Sequence, residues 1–166
     1  GLRVGEICGL WWDDIDWSRP AIRVRRALKQ DRQHHRWYLG DVKNHEARTV
    51  ILDDRTAEVL DQHRAAQQME IARAPQWEHP EHVFTGPGGA YLRLDVPSHM
   101  LRKYCRRLGL PPISMHDLRH LHGSMLLHDG WSITAVSERL GHHSPAFTAQ
   151  VYAHVIPGAQ EGYLRR

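Results

Sequence analysis

The sequence has few of the features that identify metal-binding, membrane or nucleotide-binding proteins. Only two of its 166 residues are cysteines, Cys8 and Cys105, and they show no metal-binding spacing. No apolar run approaches the ~20 residues of a membrane-spanning helix, so we expect no membrane partner. The phosphate-binding motif G-x-x-x-x-G-K-[ST] is missing, which argues against nucleotide hydrolysis. Two free thiols are typical of a reducing, cytoplasmic compartment.

The charge balance favours an anionic partner only weakly. The formal net charge is +3, and the 14 histidines add positive charge where they are protonated. A hydrophobic fraction of 41% and a charged fraction of 25% are ordinary for a globular domain. A chain of 166 residues is long enough to form one domain with its own core. The composition is therefore compatible with DNA binding but does not demonstrate it.

The periodicity of apolar residues predicts an α+β domain that is mainly helical and has a small three-stranded antiparallel sheet. Strands are expected at residues 22–24, 37–42 and 48–52, with a hairpin turn at 43–46. Helices are expected from the start of the chain to about residue 12, and over residues 55–71, 95–108, 114–130, 132–140 and 144–154. Ser114 with Asp117 forms a capping-box pattern at the start of one of these helices.

The residues that indicate chemistry are basic side chains and one tyrosine. His116 and Arg119 are three apart on a predicted helix, so both project from one face near its N-terminus. Free backbone N–H groups at that end favour an anion. Arg3 lies near the start of the chain, His142 follows a helix end, and Tyr152 comes ten residues later. Each signal alone is weak, but their combination indicates a site for phosphoryl transfer.

Each of these groups can perform one of the functions that phosphoryl transfer requires. Arg3 and Arg119 can clamp the phosphate, because a guanidinium matches two of its oxygens and stays charged. His142 can donate a hydrogen bond to a non-bridging oxygen. Tyr152 is the candidate nucleophile. Its ordinary pKa is about 10, so its proton must leave during attack, and His116 is the expected acceptor.

Two further residues are expected to support this site. Glu6 is placed to orient a neighbouring arginine or histidine, although an ordinary carboxylate on the helix surface explains it equally well. His120 follows Arg119 directly and is expected to pack or to form a hydrogen bond beside the site.

At these residues the chain resembles the catalytic domain of the tyrosine recombinases, also called phage integrases, from Gly1 to about Val155. The family carries an arginine and a glutamate in a leucine-arginine-x-x-glutamate helix, matched by Arg3 and Glu6, and a lysine in a hairpin turn, matched by Lys43. Its histidine-x-x-arginine pair is matched by His116 and Arg119. Its histidine after leucine-glycine is matched by His142, and its nucleophilic tyrosine by Tyr152. Every catalytic position is therefore filled. The assignment of Lys43 depends on the resemblance, because a solvated lysine is also common in turns.

The resemblance implies a mechanism, a substrate and an assembly. Tyr152 attacks a phosphodiester of double-stranded DNA, forms a 3′-phosphotyrosyl link and releases a 5′-hydroxyl, with Lys43 or His116 as the proton donor. A 5′-hydroxyl of a second strand then reverses the step, as in integration or excision. No metal or cofactor is required. The resemblance also implies self-assembly on DNA as a tetrameric synapse, a monomer for an isolated fragment, and a bacterial or phage origin.

The expected organisation is a catalytic domain over residues 1–156, truncated at its N-terminus, followed by a tail over residues 157–166. The tail carries the apolar pair Tyr163 and Leu164 among basic residues, so it either docks on a neighbouring protomer or is a frayed end.

Parts of the same residue pattern also occur in proteins with three other functions. A related topoisomerase, which relaxes DNA, would use the same residues. A helix-turn-helix DNA-binding module without chemistry fits the spacing of the last two helices, but the second of them is poor in residues that read bases. A zinc hydrolase using His116, His120 and His122 is geometrically conceivable. It lacks the glutamate of H-E-x-x-H, and an arginine between the ligands opposes a cation.

Overall fold

The computed structural model describes residues 1–31, 33–34, 36–42 and 47–153. These residues form two compact units. The first contains Gly1–Arg3 and the chain from Leu101 onward, and the second contains Val4–Met100. The fold is α+β, as the sequence predicted. No helix in the described part of the chain is long and apolar enough to cross a bilayer.

The second unit contains all five strands found in the described part of the chain. Helix α1 (Val4–Cys8) and a 3-10 turn are followed by β1 (Ile15–Asp16), β2 (Ala21–Val24), β3 (Arg26–Asp31), β4 (Arg36–Asp41) and β5 (Arg48–Ile51). Strand β2 is the centre of a three-stranded antiparallel sheet, β1-β2-β5, whereas β3 and β4 form a separate two-stranded hairpin. In the larger sheet, Ile22 pairs with both Ile15 and Val50.

Two details of the predicted sheet were wrong. The strand predicted at residues 37–42 pairs with β3 and not with β5. Strand β3 was missed because Leu28 is its only buried residue, so its sequence shows no apolar alternation. The three-stranded sheet is completed by the short β1 instead. The turn predicted at 43–46, which includes Lys43, lies outside the described residues.

The first helix is shorter at both ends than predicted. It starts at Val4 and ends at Cys8, and residues 12–14 form a separate 3-10 turn. Glycines bring its backbone very close to β3. A Cβ at Gly5 would lie 2.9 Å from the carbonyl oxygen of Leu28, and one at Gly9 would lie 2.7 Å from its backbone nitrogen. This close approach needs glycine at both positions.

Buried polar contacts hold the centre of the second unit. Helix α2 (Asp54–Arg73) starts after Asp53, whose carboxylate accepts from the backbone N–H of Thr56 at 2.9 Å. Within α2, the Gln67 side chain accepts from the indole N–H of Trp12 at 2.7 Å and donates to the carbonyl of His82 at 3.1 Å. A buried amide that is satisfied on both sides fixes the packing of α2 against the 3-10 turn.

Helices make up most of the first unit. Helix α3 (Asp95–Arg107) starts in the second unit and runs into the first, and α4 (Met115–His128), α5 (Ile133–Leu140) and α6 (Pro145–Tyr152) follow. The expected capping box of Ser114 is confirmed, and Ser132 and Ser144 cap the next two helices. Gly141 ends α5 with φ 66°, a left-handed conformation that favours glycine.

The core of the first unit is formed by α4, α5 and α6. Leu127, Val136, Leu140 and Tyr152 pack together there. Cys105 is a buried free thiol in this unit, and Cys8 is one in the other. Burial raises the pKa of Cys8 to about 12, so this thiol is neutral and unreactive at pH 7.

We expect Ser114→Ala to lower the free energy of unfolding by about 1 kcal/mol, because the backbone N–H of Asp117 loses its acceptor. Urea unfolding measures this change. Ser124→Ala, in the interior of the same helix, is the control and should be neutral or slightly stabilising. Equal losses in the two variants would contradict the capping role.

Candidate functional site

The first unit brings six of the predicted site residues into one cluster. They come from the start of the chain, the first two turns of α4, the turn after α5 and the end of α6: Arg3, His116, Arg119, His120, His142 and Tyr152. Glu6 belongs to the second unit, and Lys43 lies outside the described residues.

The two arginines are anchored to backbone carbonyls around the end of α5. Arg119 is 4% exposed, and its guanidinium donates to the carbonyls of Gly1 and Leu140. Arg3 donates to the carbonyl of Gly141 at 2.8 Å. The last carbonyls of a helix have no partner within it, so the arginines supply the missing donors. Because a guanidinium has five N–H groups in a rigid plane, these bonds fix its orientation.

His142 is held in a neutral state beside these cations. Burial lowers its pKa to about 4, and the charges of Arg119 and Arg3 add to the effect. Its Nδ1 lies 2.8 Å from the hydroxyl oxygen of Thr148, a buried residue that the sequence analysis did not select. A neutral buried histidine takes up a proton on unfolding below pH ~6.5, so it makes the protein less stable as the pH falls.

His116 and His120 form a close pair on the outer side of the cluster. Their Nε2 atoms are 2.8 Å apart, so one nitrogen must donate and the other accept. Burial, followed by the charges of His116 and Arg119, lowers the pKa of His120. His116 is exposed, and the ring centroid of His120 lies 5.9 Å from that of Tyr152. The two imidazoles therefore form a hydrogen-bonded pair that is open to solvent at His116.

Tyr152 is packed into the core. It is 1% exposed, its ring is nearly parallel to that of His142 at 6.3 Å, and its buried hydroxyl has no hydrogen-bond partner among the described residues. Burial raises its pKa, and the charge of Arg119 opposes this. A Cβ added at Gly123 would lie 2.5 Å from the hydroxyl oxygen. The ring therefore occupies space that glycine leaves free, and the hydroxyl must leave it to meet a phosphate.

Glu6 pairs with an arginine, which agrees with the interpretation that it orients a basic side chain. The arginine is Arg48 of the second unit and not one of the site arginines. Glu6 is 2% exposed, so the alternative of an ordinary surface carboxylate is wrong. Arg48 donates to its two oxygens at 3.0 and 2.7 Å, a bidentate pair. Arg48 was missed because the two residues are 42 apart in the sequence. A role of Glu6 in catalysis stays a prediction.

The histidines considered for zinc binding do not converge. Nε2 of His122 accepts from Arg139 at 3.1 Å, while His116 and His120 contact each other. Within the described ranges, three metal-type side chains come together only at His79, Glu81 and His82 of the second unit. There, Nε2 of His82 already accepts from the indole of Trp11 at 3.0 Å. That nitrogen of His82 is therefore already engaged within the protein, and the cluster contains none of the histidines considered for the zinc hydrolase.

Comparisons with known proteins extend over nearly the whole chain. The model of the phage integrase family matches residues 1–158. The chain is 33% identical to a "Tyrosine recombinase XerC-like" protein of Caldanaerobacter subterraneus subsp. tengcongensis, over 95% of the chain and 43% of that protein. It is 30% identical to the ICEBs1 integrase of Bacillus subtilis, over 97% of the chain and 44% of that protein. The chain thus spans less than half the length of these relatives.

Solved structures support the fold. The XerA recombinase is similar with a TM-score of 0.72 and 23% identity, over 99% of this chain and 53% of that one. The integrase of transposon Tn1549, solved in complex with circular intermediate DNA, is similar with a TM-score of 0.76 and 18% identity, over 99% of this chain and 55% of that one.

Gly123→Ala tests whether the tyrosine ring occupies the space above this glycine. Glycine to alanine inside a helix normally stabilises by about 0.5–1 kcal/mol. Here we expect a loss of stability, because the new Cβ would meet the ring at 2.5–2.6 Å. Fluorine NMR of 3-fluorotyrosine-labelled protein should show Tyr152 moving toward solvent.

The control is the same Gly123→Ala substitution made in a Tyr152→Ala protein. With the ring removed, only the flexible end of Leu140, with Cδ1 at 3.0 Å, remains close to the new Cβ, so Gly123→Ala should lose most or all of its destabilising effect. A stabilising effect of Gly123→Ala in both backgrounds would contradict the packing described here.

Proposed function

The chain belongs to the phage integrase family, and from this premise we propose that it is the catalytic part of a site-specific tyrosine recombinase that cuts and rejoins double-stranded DNA. The observation that carries the proposal is the grouping of Tyr152 with two anchored arginines and His142 in one unit. A tyrosine surrounded by such donors is equipped to attack a phosphodiester, since they stabilise the charge that develops on the phosphate oxygens.

The proposed step is an in-line exchange of two P–O bonds. The oxygen of Tyr152 bonds to phosphorus, and the bond from phosphorus to the 5′-oxygen breaks, which leaves a 3′-phosphotyrosyl link. The tyrosine proton passes to His116, directly or through His120. Lys43 supplies the proton that the departing 5′-oxygen takes up. The reverse step, with the 5′-hydroxyl of another strand, restores the phosphodiester, so no ATP or other energy source is needed.

The polar and charged groups of the site have different roles in this step. Arg3 and Arg119 hold the two non-bridging oxygens, because a fixed guanidinium pairs with two oxygens at once. His142 donates one further hydrogen bond. Since the two guanidinium groups are held by backbone carbonyls before DNA arrives, little reorganisation is required in the transition state. Their cationic charge also replaces the metal ions that many phosphoryl-transfer sites use.

The remaining partners follow from the same proposal. The DNA-bound enzyme assembles as a tetrameric synapse, in which the tail over residues 157–166 docks on a neighbouring protomer. A DNA substrate places the protein in the cytoplasm of a bacterial cell, where it would serve integration or excision. A topoisomerase of the related type would use the same site, and product analysis separates it, because relaxation of a plasmid requires no second DNA site.

Tyr152→Phe should abolish a covalent protein–DNA adduct and leave DNA affinity unchanged. A nicked suicide substrate, offered to the full-length protein with a chelator present, traps the adduct because the 5′-hydroxyl is lost. Tyr104→Phe is the control, since Tyr104 is 53% exposed on α3 and lies outside the cluster. An adduct that persists in Tyr152→Phe would show a different nucleophile. Binding without any adduct in the wild type would indicate a DNA-binding module without chemistry.

A bridging 5′-sulfur tests Lys43 as the proton donor. A thiolate leaves without protonation, so Lys43→Ala should cleave ordinary DNA very slowly and recover most of its rate on the sulfur substrate. His116→Ala should show little recovery, because its proposed role is to accept the tyrosine proton. Recovery of His116→Ala alone would exchange the two roles and make Lys43 a solvated turn residue.

A further inference from the structure

The hydroxyl of Thr148 lies on the inner nitrogen of His142. Thr148 is fully buried on α6, and its Oγ1 is 2.8 Å from Nδ1 of the histidine. The same oxygen is 3.5 Å from the carbonyl of Ser144, the outer limit for such a contact. The histidine nitrogen is therefore by far the closer partner of this hydroxyl.

The neutral imidazole of His142 has one N–H, and which nitrogen carries it decides what the ring can do. With the hydrogen on Nδ1, the other nitrogen presents a bare lone pair, which repels a phosphate oxygen. With the hydrogen on Nε2, that nitrogen is a donor. A group that donates to Nδ1 selects the second form. A hydroxyl can do so, whereas a backbone carbonyl or a carboxylate cannot.

The charges around His142 make this choice matter. Burial opposes its protonation most, Arg119, Arg3, His120 and His143 add to this, and no carboxylate of the described residues contributes on the other side. A histidine that stays neutral cannot donate from both nitrogens. Its ability to hold a phosphate oxygen therefore depends on the tautomer.

We propose that Thr148 is a positioning residue, which donates its hydroxyl hydrogen to Nδ1 and thereby keeps the hydrogen of neutral His142 on Nε2, ready for a non-bridging oxygen of the scissile phosphate. The role on the phosphate rests on the proposed function, but the tautomer does not. The hydroxyl also suits a site that must bind an anion reversibly. If the phosphate charge protonates the ring, the same oxygen turns and accepts from Nδ1–H.

The tautomer is measured on the DNA-free protein with ¹⁵N-labelled histidine at pH 7. In the wild type, the His142 signals should show a protonated Nε2 and a bare Nδ1 that accepts a hydrogen bond. This measurement needs no variant. A hydrogen on Nδ1 in the wild type would overturn the proposal.

Variants of Thr148 then distinguish the effect of its hydroxyl on the His142 signals from the effect of its side-chain shape. Thr148→Val keeps the shape and removes the donor, so the His142 signals should move to those of a tautomer mixture. Thr148→Ser should restore the wild-type signals. Thr134→Val, on the exposed side of α5, is the control and should leave them unchanged. Unchanged His142 signals in Thr148→Val would also overturn the proposal.

The consequence for chemistry is tested with the suicide substrate. Thr148→Val should form the covalent adduct about tenfold more slowly, which corresponds to ~1.4 kcal/mol and to one buried acceptor left without a partner. DNA affinity should stay unchanged, and Thr148→Ser should recover most of the rate. A loss that Thr148→Ser does not recover would refute the positioning role. If the wild type shows the expected nitrogen signals but forms no adduct, the recombinase proposal fails and the tautomer assignment stands.

Discussion

The site depends first on the buried guanidinium of Arg119. It joins three segments that are distant in the sequence, because it sits on α4 and donates to the carbonyls of Gly1 and Leu140. A buried charge is costly unless polar groups surround it, and these carbonyls provide that environment. The same bonds tie Arg119 to the segment that carries Arg3, close to Gly1, and to the segment that carries His142, close to Leu140. Arg119 therefore links the segments that supply these two side chains.

Burial and the charge of Arg119 both act on the protonation of the neighbouring groups. Burial lowers the pKa of His142 and of His120, and the charge of Arg119 adds to the effect, whereas burial raises the pKa of Tyr152 and Arg119 opposes this. Guanidinium groups stay charged, while His142, with a pKa of about 4, is neutral at pH 7. This division suits phosphoryl transfer, in which fixed charge must meet the phosphate while a separate group moves the proton.

The sequence predicted the structural features that depend on neighbouring residues and missed those that depend on contacts between residues far apart in the chain. The cap of Ser114, the left-handed turn at Gly141 and proline at the start of α6 are decided by neighbouring residues, so the helices and the histidines at their ends were found. The partner of Glu6 and the strand β3 depend on segments brought together by folding, and neither has a local pattern. The burial of Tyr152 was equally hidden, since the space it fills is the missing side chain of Gly123 in another helix.

Helix α6 connects the nucleophile to the histidine beside it. Thr148 and Tyr152 are four residues apart, so they project from the same face of α6 toward the core. Two movements can bring the tyrosine hydroxyl out of its buried position, and they differ in their effect on His142. Rotation of the Tyr152 side chain alone leaves the hydrogen bond of Thr148 in place, whereas a shift of the whole helix breaks it. Since the proposed step needs the phosphate donor and the nucleophile at the same moment, side-chain rotation on a stationary α6 is the movement consistent with both.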